Sequence, residues 1–340
     1  MGQTPAKYPL GFFPTPVHRL NRLSDELGIN LYLKRDDLTG PNLFGGNKIR
    51  KLEYLLADAI KQKADTLITF GATQSNHAME TAVAARKAGL NVILYLETIT
   101  KNDEADDRAN ILIDKILGAK IHYISMDNRT EAEADAIALE QAQLEAKKLN
   151  DEGHRAYIIP VGGATKIGSA GFIQGFKELQ NQLPDTNIDY VVHGSGTGGT
   201  AAGLIAGAKA FGDAKNPTSV LSINVSPKPK EHYQKVVDLG NSALEYLNID
   251  TRITLNDTHF DQSYFGEEYE IPSRSASNAI KLLAQTEGIL IDPVYTGKAF
   301  AGLLDYVKTG KIKSGSNVVF WHTGGISALF AEKQMVGKLY

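Results

Sequence analysis

The 340-residue chain contains no cysteine, which excludes disulfides, thiolate metal sites and a cysteine nucleophile. A metal would have to be held by histidines and carboxylates, yet the histidines show no H-E-x-x-H spacing, so no metal site is expected. Net charge is only −3. That balance argues against nucleic-acid partners and against a polybasic membrane contact, both of which need clustered excess Lys and Arg. No apolar run approaches the span of a bilayer, and the stretch 1–13 lacks a charged segment followed by a long apolar one. A cytoplasmic protein is the expectation. A G-x-S-x-G elbow is missing too, which leaves a serine hydrolase without its usual turn. Linkers and low-complexity segments are also absent.

Hydrophobic residues at 42% and charged residues at 22% describe a globular chain, and its length suits two lobes better than one core. Pro9, Pro14 and Pro16 keep the start extended, and 31–35 reads as a strand before the Asp36-Asp37 turn. From there the chain alternates in the manner of a parallel sheet, with strands at 66–70, 92–96 and 121–124 and helices around 79–87 and 108–117. The stretch 131–148, rich in Ala, Glu, Gln and Lys, predicts a helix with a large solvated face. A second series follows: strand 157–159, helix 171–179, strand 190–193, a glycine loop, helix 200–210 and strand 222–225. The region 239–274 has weak periodicity, while 279–285 reads as helix and 318–321 as strand. The fold class is therefore α/β: two open, mostly parallel sheets flanked by helices, with a ligand between the carboxyl ends of their strands.

The central stretch is Phe44-Gly45-Gly46-Asn47-Lys48-Ile49-Arg50-Lys51. Two glycines let the backbone approach a ligand, and Asn47 suits the N-cap of a helix opened by Lys48. Ile49, Leu52, Leu55, Leu56, Ala59 and Ile60 recur at helical spacing and predict a buried face. Lys48, Arg50 and Lys51 crowd the first turn, where the helix dipole disfavours cations. A lysine so placed, and desolvated, has a lowered pKa and is available as a nucleophile or base. Lys48 and Lys51 share a helix face, so one can do chemistry while the other holds an anion.

Three further motifs stand at strand ends. Gly194-Ser195-Gly196-Thr197-Gly198-Gly199-Thr200 lies between a strand and a helix and suits a phosphate. It also matches G-x-G-x-x-G, but the next strand, ending Asn224-Val225-Ser226, lacks the acidic residue that a dinucleotide wants. Gln74-Ser75-Asn76-His77 presents a carboxamide, a hydroxyl and free N–H groups to a carboxylate, although taken alone Ser75 reads better as a helix cap, and His77 as a cap or core residue. Asp292-Pro293-Val294-Tyr295-Thr296 sets a tyrosine in a turn before a helix, and His322-Thr323-Gly324-Gly325 ends a strand. Tyrosine can donate a proton, and threonine is a neutral partner for a ring nitrogen.

An activated lysine, a phosphate loop, a carboxylate turn and a hydroxyl partner together describe a pyridoxal phosphate site. With Pro14-Thr15-Pro16 and Lys34-Arg35-Asp36-Asp37, these motifs make the chain resemble, nearly end to end, the fold type II (tryptophan synthase β-like) pyridoxal phosphate enzymes that include D-cysteine desulfhydrase and 1-aminocyclopropane-1-carboxylate (ACC) deaminase. The resemblance implies pyridoxal 5′-phosphate as cofactor, with Lys48 as the Schiff-base lysine. Lys51, Gly196, Thr197, Gly198, Gly199 and Thr200 would then hold the phosphate, Asn76 the phenolic oxygen and Thr323 the ring. Asn47, Gln74, Ser75, Asn76 and Thr296 would meet a small amino-acid substrate, and Tyr269 and Tyr295 would flank the reacting carbon. Tyr269 departs from the family's Gly-Tyr-Gly-x-Pro, having Glu268 and Glu270 beside it. The implied architecture is a smaller domain, 52–160, inserted in a larger cofactor domain, 1–51 and 161–340, in a homodimer. ACC deaminases resemble Asp-Pro-Val-Tyr-Glu-Gly and His-Leu-Gly-Gly, whereas Thr296 and Thr323 match D-cysteine desulfhydrases. The expected activity is β-elimination from D-cysteine. A sulfonated analogue such as cysteate is the rival substrate. The leading alternative enzyme is ACC deaminase, the alternative from another class an idle ligand-binding relative, and a nicotinamide oxidoreductase comes after both.

Overall fold

The computed structural model describes residues 5–42, 44–98, 107–331 and 333–339. In chain order its elements are β1 (Val17–Arg19), α1 (Asn21–Leu27), β2 (Asn30–Arg35), α2 (Lys48–Lys61), β3 (Thr66–Ala72), α3 (Asn76–Lys87), β4 (Asn91–Thr98), α4 (Ala109–Ile116), β5 (Lys120–Ser125), α5 (Glu131–Asp151) and β6 (Ala156–Ile158). Then come α6 (Lys166–Gln182), β7 (Tyr190–Ser195), α7 (Gly199–Phe211), β8 (Ser219–Asn224), α8 (Lys230–Tyr246), β9 (His259–Asp261), α9 (Arg274–Glu287), α10 (Thr296–Lys308), β10 (Asn317–His322) and α11 (Lys333–Val336).

The strands form a six-stranded sheet, β1-β2-β10-β7-β8-β9, and a four-stranded one, β5-β4-β3-β6. Every pairing is parallel except β1 with β2. Parallel strands are covered on both faces and so read as unbroken apolar runs. In the larger sheet Leu33, Val192 and Phe320 pair in register and pack with Ala279 and Phe300 on one face. Val191, Val319 and Trp321 pack on the other face with Phe172 and Leu204. In the smaller sheet Leu67 and Leu94 pack with Leu52 and Ala82, and Ile68 and Ile93 with the alanines of α5. That helix is solvated as expected and buries only Ala134, Ala138, Ala142 and Ala146, a seam at every fourth residue, behind a Thr130–Glu133 capping box.

The expected elements are present, mostly longer than their apolar runs. The weak periodicity of 239–274 conceals the second half of α8, which starts before that region behind Pro229 and buries Val236, Val237, Gly240, Ala243 and Leu244. Beyond α8 only one 3₁₀ turn, Leu255–Asp257, and the short β9 precede α9. Ser273 caps α9, accepting from the Ala276 N–H. Among the described residues no helix is long and apolar enough to cross a membrane.

Candidate active site

The opening of α2 is held from below by a buried ion network. Arg50 donates to both Asp36 oxygens (Nε–Oδ2 2.7 Å, Nη2–Oδ1 2.8 Å) and to Glu178. Lys34 reaches Glu178 (2.6 Å) and the Thr15 carbonyl (2.8 Å), while Trp321 Nε1 donates to Asp36 (2.7 Å). Burial pulls the Glu178 carboxyl upward, but Arg50 and Lys34 outweigh it and hold it at about 2. Thr15, Lys34 and Asp36 therefore support the site without lining it. Arg50 is spent here, so the expectation that it crowds Lys48 does not hold.

Above this network the backbone of Gly46 bridges that of Gly324. A side chain on Gly324, whose φ is +89°, would start 2.6 Å from the Gly45 carbonyl, so the close approach needs glycine. Lys48 lines a cavity of about 590 Å³ between the two sheets. Burial lowers its pKa and raises that of Glu80 to about 8, and each charge restrains the other's shift. The cause of the Lys48 shift is thus burial, with Glu80 and Asp292 opposing, instead of neighbouring cations. Glu80 Oε2 accepts the Ile49 N–H (2.9 Å), so α3 supplies the acidic group that the first turn of α2 lacks. Sequence reading missed Glu80, because its partner lies on another helix.

Asn47 occupies the N-cap position but makes no side-chain cap bond. It donates instead to Thr200 Oγ1 (2.9 Å) and accepts from Lys48 Nζ (3.0 Å), tying the lysine to the glycine loop. Gly196, Thr197, Gly198 and Thr200 line the same cavity, as does Lys51. Gly198 has φ +84° and leads into α7, and a side chain on Gly199 would start 2.8 Å from Lys51 Nζ. Lys51 is 1% exposed and donates to the Gly162 carbonyl (2.9 Å). Burial and Lys48 push its pKa well down.

Ser75 caps α3, accepting from the Ala78 N–H (3.2 Å), and lines the cavity with Asn76 and His77. His77 is buried and meets Thr69 Oγ1 (2.9 Å). Gln74 does not join the cavity wall. Its carboxamide takes the Asn110 N–H (2.9 Å) and donates to the Arg108 carbonyl (3.4 Å), so its expected role at the substrate is not what this geometry offers. Thr296 is displaced likewise: fully buried, it donates to Asp292 Oδ1 and accepts the Asp292 N–H (2.7 Å). The other Asp292 oxygen accepts the N–H groups of Val294 (2.8 Å) and Tyr295 (2.7 Å). Thr296 is therefore part of the turn that aims Tyr295, since its hydroxyl is consumed there.

Tyr295 and Tyr269 line the cavity and hydrogen-bond to one another through their hydroxyls. Lys48 Nζ lies 5.9 Å from the Tyr295 ring centroid. Burial drives both phenols upward, so neither is a phenolate at neutral pH. Lys298, which sequence reading passed over, is fully buried and donates to the carbonyls of Glu268 (2.9 Å) and Tyr269 (2.7 Å). It anchors the segment whose glutamates replace the family's glycines. Thr323 lines the cavity, and its carbonyl accepts the Asn47 N–H (3.0 Å).

The profile of the family described as "Pyridoxal-phosphate dependent enzyme" matches residues 8–324. The chain belongs to this family. A D-cysteine desulfhydrase of Serratia proteamaculans is 40% identical over 323 residues, covering 93% of either chain. A Pyrococcus abyssi protein named "Putative 1-aminocyclopropane-1-carboxylate deaminase" is 41% identical over 318 residues, covering 93% of this chain and 90% of its own. A solved ACC deaminase homologue superposes with a TM-score of 0.84 at 36% identity, covering 96% of this chain and 93% of that one.

The cofactor of this pyridoxal-phosphate dependent enzyme fits the residues present. Lys51 is a buried amine that, among the described residues, has no carboxylate within 4 Å, and it abuts a glycine-rich helix N-terminus. A phosphate supplies the missing charge to both.

Proposed function

We propose that the chain is a carbon–sulfur lyase of the D-cysteine desulfhydrase kind, by which D-cysteine and water give pyruvate, ammonia and hydrogen sulfide. The observation that carries this reading is the Lys48 amine facing the Tyr295–Tyr269 phenol pair across one cavity. β-Elimination needs a base for the α-proton and an acid for the departing sulfur. Lys48, lowered by burial, takes the proton, and the phenols, kept protonated, hand one over. Pyridoxal phosphate, when bound, supplies the electron sink for the α-carbon. Thr323 would face its ring nitrogen as a neutral hydroxyl, the weaker of the possible sinks, which suits a good leaving group. Lys51 with Gly196, Thr197, Gly198, Gly199 and Thr200 would hold the phosphate, Asn76 the phenolic oxygen, and Ser75 with the first N–H groups of α3 the substrate carboxylate. Residues 52–160 would form the smaller inserted domain, in a cytoplasmic homodimer whose mass light scattering can test.

The second reading is ACC deaminase, favoured by the names of the Pyrococcus relative and the solved homologue. The deciding experiment is release of 2-oxo acid and sulfide from D- and L-cysteine, D-serine, L-cysteate and ACC. D-Cysteine should yield pyruvate and sulfide in equal amounts, ACC little product, and Lys48→Ala none from any. Efficient turnover of ACC would hand the chain to the second reading, and cofactor binding with no product to the idle relative.

A further inference from the structure

Three carboxamides, Gln74, Asn76 and Asn110, meet behind the cavity wall, of which only Asn76 is part. Backbone groups decide which way Gln74 and Asn110 face and, through Asn110, which way Asn76 does. The Asn110 N–H donates to Gln74 Oε1, and Gln74 Nε2 donates to the Arg108 carbonyl. A backbone N–H only donates and a carbonyl only accepts, so Gln74 has one allowed orientation. Asn110 Nδ2 donates to the Gln74 carbonyl (2.8 Å) and to Asn76 Oδ1 (2.9 Å). The atom facing that carbonyl has to be the amide nitrogen, and its second hydrogen then requires the oxygen of Asn76. Asn76 consequently turns its nitrogen the other way, beside Gly325, where a side chain would start 3.0 Å from Nδ2. Gln74 is 6% and Asn110 1% exposed, so water does not compete for these bonds. Ala109, which delivers the Asn110 N–H, has φ +45°, a costly angle for alanine that persists only where its surroundings enforce it.

We infer that Asn110 is a positioning residue, which holds Asn76 with its N–H₂ toward the phenolic oxygen of pyridoxal phosphate. Through Gln74 it also locks the 74–76 turn to the start of α4. The inference rests on the reading that puts Asn76 at that oxygen. With nitrogen forward, Asn76 donates to the phenolic oxygen and lowers its basicity. With oxygen forward, two acceptors face each other. Asn110→Asp keeps the shape but removes the donor, so Asn76 turns its N–H₂ to the new carboxylate and its oxygen to the cofactor.

The test is a pH titration of the visible absorbance of the holoenzyme in wild type, Asn76→Ala, Asn110→Asp and the double variant. The midpoint for the proton shared between the phenolic oxygen and the Lys48 nitrogen should rise by about one unit or more in either single variant, the worth of a charge-assisted hydrogen bond. The double variant should go no further than Asn76→Ala. A midpoint moved by Asn76→Ala but not by Asn110→Asp overturns the role of Asn110. One moved by neither overturns the placement of Asn76 and the inference with it. Should Asn110→Asp fail to fold, Asn110→Ala removes the restraint on the same carboxamide, so the midpoint should rise by less than in Asn76→Ala, and an unmoved midpoint overturns the role of Asn110.

Discussion

Each of the three cations that open α2 meets a different fate, and two of those fates lead to predictions. Arg50 is neutralised by Asp36 and Glu178 and has no charge left for the cavity. Lys48 faces Glu80, whose carboxyl, where ionised, holds the lysine's pKa up against burial. Glu80→Gln removes that support and lowers the Lys48 pKa further, so more free amine exists at lower pH. The pH dependence of pyridoxal phosphate capture by apoprotein should therefore move to lower pH, and an unmoved or raised midpoint would remove Glu80 from this role. Lys51 has only a carbonyl partner at hydrogen-bonding distance among the described residues. Lys51→Ala should weaken cofactor retention by about 1.5–3 kcal/mol, the worth of a hydrogen bond to a charged group. Equilibrium dialysis measures this, and unchanged affinity would count against Lys51 as the phosphate partner.

Two further helix starts shape the site, α3 and α10, each through a hydroxyl in its first turn or cap. Ser75 caps α3 through its oxygen, which leaves its hydrogen free for a substrate carboxylate. Ser75→Ala should therefore cost about 1 kcal/mol of stability as a lost cap and also raise KM for D-cysteine. Earlier melting with unchanged kinetics would confine Ser75 to the cap. At α10, Thr296 and Asp292 close the turn that presents Tyr295. Thr296→Val should lower kcat by loosening that phenol while leaving cofactor affinity unchanged, and dialysis beside steady-state kinetics checks both halves. Unaltered kcat would mean that Asp292 holds the turn alone.

At the scale of the molecule, the cavity is walled by both sheets' connections: Ser75 and Asn76 follow β3, and Gly196 and Thr197 follow β7. A cofactor held from both sides adds its binding energy to the stability of the whole, by about 2.7 kcal/mol at a hundredfold excess over Kd. Apoprotein should melt at a lower temperature than holoprotein, with the melting point rising as pyridoxal phosphate is added. Identical melting curves would mean that the folded chain does not bind pyridoxal phosphate.

The order of strands and helices, the lysine at the head of α2 and the glycine loop before α7 were legible in the sequence, because each is a local matter. Buried parallel strands are written as continuous apolar runs, and a turn that needs a close backbone approach is written in glycine. The direction in which a polar side chain points is not local. Gln74 and Asn110 are 36 positions apart, and Arg50 and Glu178 are 128. Thr296, only four positions from its carboxylate partner, was read as facing the substrate because a residue's type does not say which side of a turn it lies on. Sequence alone placed the chemical groups near a common site. Tertiary packing chose the partner of each, because a buried donor or acceptor has to be satisfied by whatever the fold sets beside it.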